Sequence, residues 1–240
     1  MQNVFSRNEK KYLITGAQAD QLIEALADNM EPDMHGEYWV QNLYFDTENW
    51  DIIQTSMEKP YYKEKIRLRC YGMPETTDRM FLEFKKKYSG VVYKRRLPIL
   101  PSDISEYGVD EILSKDNSQI AKELAYHIDR TGAVEKFYLA YYRRAFAGIN
   151  DEGLRLTVDS NICYRLDTLR FTEPSLGCSF LDPNMFLLEI KTPLSIPLWL
   201  AHLLCEIGIF STSFSKYATC FTHWTKSKDS SFGKRVIKIA

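Results

Sequence analysis

Lys65, Arg67 and Arg69 occupy every second position of Lys65-Ile-Arg-Leu-Arg69, and Ile66, Leu68 and Cys70 fill the positions between and after them. An extended strand sends alternate side chains to opposite faces. One face of this segment is therefore purely basic and the other purely apolar. Glu83, Lys85 and Lys87 alternate in the same way with Leu82 and Phe84, Arg155, Thr157 and Asp159 with Leu154, Leu156 and Val158, and Glu189 and Lys191 with Leu188 and Ile190. Guanidinium forks match phosphate oxygens two at a time, and ammonium groups act as point charges. Isolated carboxylates among them suit a hard divalent cation such as Mg²⁺, which takes a few carboxylate oxygens together with phosphate oxygens. The chemistry this set can do is to grip a polyanion. A single strand of this kind is explained by a solvated sheet face. Repetition is not, because solvated faces mix in Thr, Ser and Gln, whereas these concentrate Arg and Lys.

The elements that must position these residues are legible as hydrophobic patterns. Strands are predicted over 4–14, 38–46, 61–71, 79–88, 91–99, 136–147, 153–165 and 185–192. Leu22, Ile23, Leu26 and Met30 have helical spacing over 17–30, as do Ile120, Leu124 and Ile128 over 117–129. Residues 198–209 are apolar nearly all round, which predicts a buried helix. Ser213 or Ser215 can cap a last helix running to about residue 226. Ser89-Gly90 reads as a hairpin turn. Short connections favour antiparallel pairing, and an even number of strands suits closure, which removes both edges. The expected fold is α+β: one domain over residues 1–240, an eight-stranded antiparallel β-barrel with a charged lumen and flanking helices. Like charges buried in a dry lumen would be very unfavourable, so the lumen is expected to be wide and wet. A polyanion is its natural occupant, since a phosphate oxygen and a guanidinium ~4 Å apart attract by about 4 kcal/mol at an effective dielectric near 20.

Composition narrows the classes. The formal net charge of -1 across 240 residues argues against a nonspecific nucleic-acid binder, so any anion site is local. No apolar run approaches the ~20 residues of a membrane helix, and Met1 to Lys11 is too polar for a secretory leader. Cys70, Cys163, Cys178, Cys205 and Cys220 form no CxxC pair, which suggests reduced thiols and a cytoplasmic setting. The four histidines share no zinc-ligand spacing.

Several motifs then occur in one order: Arg7-Asn-Glu9-Lys-Lys11-Tyr12, Leu43-Tyr-Phe-Asp46-Thr47, Ile66-Arg-Leu-Arg69-Cys-Tyr71-Gly72, Phe81-Leu-Glu83-Phe-Lys85, Tyr141-Tyr-Arg143-Arg-Ala-Phe146, Leu154-Arg155-Leu-Thr-Val-Asp159, Leu188-Glu189-Ile-Lys191 and Phe214-Ser215-Lys216-Tyr217. The set resembles the catalytic domain of the vacuolar transporter chaperone (VTC), the polyphosphate polymerase branch of the CYTH-like triphosphate tunnel metalloenzymes, over roughly residues 3–225. The resemblance implies a tunnel that binds ATP and inorganic polyphosphate with Mn²⁺ or Mg²⁺. Arg67, Arg69, Lys85 and Arg143 are its expected catalytic cations. Lys11, Lys65, Lys94, Arg96, Arg155, Lys191, Ser215 and Lys216 are its expected phosphate ligands, with Arg95 replacing a neighbour if the hairpin register slips by one. Glu189 is the expected metal ligand, with Glu9 and Glu83 as further candidates. Glu83 can equally orient its basic neighbours, and Asp46 is expected to stabilise the tunnel. Many tunnel phosphohydrolases begin with Glu-x-Glu-x-Lys, whereas Arg7, Glu9 and Lys11 alternate here. An arginine in place of the first acid favours phosphate binding over a two-metal hydrolase site.

The leading expectation is therefore an ATP–polyphosphate phosphotransferase with weak selectivity for the base. A triphosphatase using the same tunnel is the alternative, and a non-catalytic polyphosphate-binding module a third. Nucleic acid is not an expected partner. The lack of an apolar span leaves room for a separately encoded membrane partner.

Overall fold

The computed structural model describes residues 8–75, 79–89, 91–151, 153–171 and 173–236. Arg7 and Gly90 lie outside the described residues. Each expected strand segment carries one long strand: β1 (Asn8–Thr15), β2 (Met30–Asp46), β3 (Tyr62–Tyr71), β4 (Met80–Tyr88), β5 (Val91–Ile99), β6 (Val134–Gly148), β7 (Arg155–Arg165) and β9 (Met185–Thr192). Two-residue strands β8 (Cys178–Ser179) and β10 (Ser211–Thr212) complete the sheet. The helices are α1 (Gly16–Ala25), α2 (Asp51–Met57), α3 (Pro101–Glu106), α4 (Gly108–Lys115), α5 (Gln119–Thr131), α6 (Leu198–Glu206) and α7 (Lys216–Val236).

The strands run β10-β1-β9-β7-β6-β2-β3-β4-β5, with β8 on the flank of β7, and every pairing is antiparallel. The expected eight-stranded barrel does not close. Among the described residues, β1 gives its outer edge to β10 through Lys11–Thr212 and Tyr12–Ser211, and no ladder joins it to β5. The sheet curls nonetheless. Lys85 of β4 lies within electrostatic reach of Glu9 and Lys11 of β1 and Glu189 of β9. The result is a trough whose two walls face each other. Asn161, with φ of 50°, sits where β7 shifts register against β6. Asn tolerates that left-handed conformation better than most side chains.

Three apolar cores hold the trough. On the convex side, Leu43, Ile66, Leu68, Leu82, Phe84 and Leu97 pack against Val109 and Leu113 of α4 and Leu124 of α5. The second core joins Ile14, Leu156, Val158 and Ile190 to Leu22 of α1 and Leu200 and Leu204 of α6. The third lies on the concave side, where Val40, Tyr44, Phe137, Leu139 and Leu187 meet Tyr217, Cys220 and Phe221 of α7. The C-terminal helix therefore fills one end of the trough with dry contacts, and the lumen is charged only over the remainder.

Two helix expectations are corrected. Thr15 and Gln18 form a reciprocal capping box at the start of α1, but the helix ends at Ala25, and Met30 opens β2 instead of extending the helical face. The apolar run over 198–209 predicts a buried helix. In α6 only Leu200 and Leu204 are buried, and Leu198 is 77 % exposed. The helix lies on one flank of the trough, so its outer side meets no other described element.

Candidate functional site

Glu83 is the hub of the first wall. It lies opposite Arg67 on β3 and Arg96 on β5 in the antiparallel registers. Its carboxylate is buried and takes Arg67 Nη2 at 2.7 Å and Nε at 2.8 Å, Lys94 Nζ at 2.7 Å, and Arg96 Nη2 at 2.6 Å, with Arg69 Nε at 3.8 Å. Burial alone would raise its pKa, but Arg67, Arg69 and Lys94 outweigh that and hold the carboxyl well below its usual range. Both oxygens are engaged by cations, so the geometry fits the orienting role of Glu83 and not that of a metal ligand. The alternation on β2 supplies further supports. Tyr44 Oη accepts from Arg67 Nη1 at 3.0 Å, and Asn42 Oδ1 accepts from Arg69 Nε at 2.9 Å. Arg67 has five N–H donors, and these contacts use three, which leaves two for a ligand. Arg96 rather than Arg95 faces the hub; Arg95 reaches Glu123 of α5 on the convex side.

The opposite wall is built by β1, β9, β7 and β6. Lys11 pairs in register with Glu189, and Glu9 with Lys191. Along the strands, Lys11 contacts Glu9 at 3.0 Å and Lys191 contacts Glu189 at 2.7 Å. Deeper in, Asp159 is fully buried and binds Arg143 bidentately at 2.6 and 2.8 Å and Lys216 Nζ at 2.6 Å. Burial lowers the Lys216 pKa, yet Asp159 more than compensates, and the ammonium stays charged. Lys216 thus ties the first turn of α7 to the sheet. Ser215 Oγ accepts from Ala218 N at 3.4 Å as the cap of that helix. Arg155 stands opposite Lys191 but is exposed at the outer end of β7.

Lys65 and Lys85 face each other across β3 and β4, and neither makes an ion pair or hydrogen bond among the described residues. Both are trough cations without a counter-ion among the described residues, and Lys65 Nζ lies 5.6 Å from the centre of the Tyr217 ring. Lys85 is open to solvent in the trough, yet desolvation by its walls lowers its pKa, against the pull of Glu9. Desolvation, with Lys63, Lys85 and Arg67 nearby, brings Lys65 down to about 7. Desolvation also brings Lys94 down to about 8 despite Glu83. A bound polyanion favours their charged forms. Binding of inorganic tripolyphosphate at pH 8 is therefore expected to take up protons, seen by calorimetry in buffers of different ionisation enthalpy, and affinity is expected to fall as pH rises through 7 to 9. The stability contribution of Lys65 has the opposite slope. Between about 7 and its ordinary 10.5 the unfolded chain binds more protons, so unliganded stability rises with pH across that window.

Among the described residues, no three His, Cys, Asp or Glu side chains converge on one metal position. Glu9 and Glu189 are diagonal neighbours on one face. Burial would raise Glu189, but Lys191, Lys216 and Lys11 keep it well below its usual range and ionised. Two carboxylates among basic side chains suit a hard cation, which takes oxygen ligands from carboxylates, phosphates and water. Asp46 accepts from the backbone N–H groups of Thr47, Ile52 and Ile53 and from Tyr217 Oη. It anchors α2 and α7 and stays out of the charged region. Sequence reasoning missed Asn42 and Tyr44, which alternate with Leu43 and Phe45 as plainly as the cations do, Tyr71, whose hydroxyl accepts from Arg69 and Arg96, and Tyr141, whose ring centre lies 5.1 Å from the Arg143 guanidinium and 4.5 Å from Lys216 Nζ.

Among solved structures, a candidate adenylyl cyclase from Hippeastrum, described as revealing a dominant triphosphatase activity, is 19% identical with a TM-score of 0.54, over 90% of this chain and 95% of that one. A candidate adenylate cyclase from Vibrio parahaemolyticus is 13% identical with a TM-score of 0.51, over 92% and 99%. At these identities the likeness is one of fold. No curated relative matches the sequence significantly. The model of the VTC domain matches residues 6–225, the whole span that carries both walls of the trough and the start of α7, and the chain belongs to the VTC domain family.

Proposed function

We propose that this domain is a polyphosphate polymerase that transfers the γ-phosphoryl group of ATP to the end of an inorganic polyphosphate chain. The observation that carries this reading is the unbroken row of cations on β3. Lys63, Lys65, Arg67 and Arg69 span seven residues, a rise of about 20 Å along the strand, which is longer than a triphosphate tail. Lys85, Lys94 and Arg96 flank the row on β4 and β5. Such a row suits a chain that advances past a fixed reaction point.

In the reaction, a terminal oxygen of the chain attacks the γ-phosphorus. A new P–O–P bond forms, the bond to the ADP oxygen breaks, and ADP leaves with the electron pair. Phosphoryl transfer depends on alignment and charge neutralisation more than on covalent help. Arg67 and Arg69, locked by Glu83, Tyr44 and Asn42, present guanidinium donors without reorganising. Lys65 and Lys85 neutralise the phosphates between the walls, and Arg143, fixed by Asp159, closes the site from β6. Glu9 and Glu189 would hold Mg²⁺ or Mn²⁺, which supplies further neutralisation of phosphate oxygens when bound. Nothing in these contacts reads a base, so GTP is expected to support turnover comparable to ATP.

The second reading is hydrolysis of a triphosphate, favoured by the triphosphatase activity described for the Hippeastrum protein. Incubation with ATP and Mn²⁺ or Mg²⁺, resolved by gel and ³¹P NMR, separates the two. Long phosphate chains with ADP, absent in Arg67→Ala and Glu189→Ala, support the polymerase. Orthophosphate without chains supports the hydrolase. Retained polyphosphate binding with no turnover points to a binding module or to a missing partner. Among the described residues no helix is long and apolar enough to cross a membrane.

A further inference from the structure

Tyr71 ends the charged face of β3, two residues beyond Arg69. Its ring packs edge-on against Tyr38 at 5.9 Å and Phe81 at 6.0 Å between centroids. The guanidinium carbons of Arg69 and Arg96 lie 5.6 and 6.0 Å from the ring centre. The hydroxyl oxygen accepts from Arg69 Nη1 and from Arg96 Nη2, each at 3.2 Å. Cations from two different strands thus engage the oxygen as an acceptor. A phenol keeps one donor beyond that, and no described residue accepts it. Positive donors on the oxygen polarise the O–H and strengthen it as a donor.

We propose that Tyr71 is a phosphate-binding and positioning residue, whose O–H donates to an oxygen of the phosphate chain while its oxygen sets the spacing of Arg69 and Arg96. The inference rests on the reading of the trough as a polyphosphate site. The groups facing the phenol are Arg69 on its own strand, Glu83 on β4, Arg96 on β5 and Tyr38 on β2. Burial raises the phenol, but Arg69 and Arg96 outweigh burial and Glu83 and bring it to about 8. A phenolate would lose the donor and repel phosphate, so a bound chain holds Tyr71 in its protonated form.

The test uses the full chain and inorganic tripolyphosphate. By calorimetry at pH 7, Tyr71→Phe is expected to bind about tenfold more weakly, the loss typical of a hydrogen bond to a charged group. In a second sample, 3-fluorotyrosine replaces Tyr71 and keeps the fold, and its ¹⁹F resonance is followed against pH. The midpoint is expected to move up on saturation with tripolyphosphate. Unchanged affinity in Tyr71→Phe, or a ¹⁹F midpoint indifferent to tripolyphosphate, overturns the proposal and leaves Tyr71 a packing residue. Arg67→Ala separates the two levels. If it too binds like the unaltered protein, the phosphate-site reading itself fails. If it loses binding while Tyr71→Phe does not, only the assignment of Tyr71 falls.

Discussion

Glu83→Gln is expected to lower the melting temperature by about 6–20 °C, and tripolyphosphate is expected to recover much of the loss. Glutamine nearly preserves shape but removes the charge that four basic side chains converge on. Removing one partner from a buried ionic cluster costs about 3–5 kcal/mol, and about 2–4 °C follows per kcal/mol in a chain of this size. A bound polyanion restores negative charge in front of the same cations, so ligand-induced stabilisation should be larger in Glu83→Gln than in the unaltered protein. Differential scanning calorimetry with and without tripolyphosphate checks both statements. A variant as stable as its parent would show that the hub is not what holds the cations in place. The pH dependence follows with the same sign. Glu83 is depressed in the folded state, so its contribution is complete above about 4.5, its ordinary value, and is lost progressively below it.

Lys85→Ala is expected to behave in the opposite way: turnover falls by about 10²–10³, the scale of removing one electrostatic donor from a transition state, while melting temperature holds or rises. Lys85 makes no ion pair or hydrogen bond among the described residues, stands opposite Lys65, and has Arg67 and Lys11 as like-charged neighbours. The folded protein therefore gains little from this ammonium without a ligand, and relief of repulsion offsets the loss of its attraction to Glu9. Steady-state kinetics and a thermal melt on one preparation decide the point. Loss of stability together with activity would give Lys85 a part in holding the folded trough as well as in turnover.

The contrast between Glu83 and Lys85, two residues apart on one strand face, marks what periodicity can and cannot say. Alternation put Lys65, Arg67 and Arg69 on one face and Glu83 and Lys85 on another, and the eight long strands follow because period-two burial is a local property of sequence. Motif order carried the family. The sequence by itself thus determined the strands, their charged faces and the polyanion chemistry they suit. Tertiary structure alone decided the rest. Whether Glu83 ligates metal or organises cations depends on Lys94 and Arg96 arriving from β5, and the fate of Asp159 depends on Lys216 arriving from α7, 57 positions along the chain. The outer edge of β1 meets two residues, Ser211 and Thr212, in place of β5; a two-residue strand has no periodicity to read. The dry end of the trough was likewise invisible, because Tyr44, Phe137 and Tyr217 become one core only when the last helix folds back onto the first half of the sheet. Local pattern fixes which face a side chain takes, and long-range pairing fixes what it meets there.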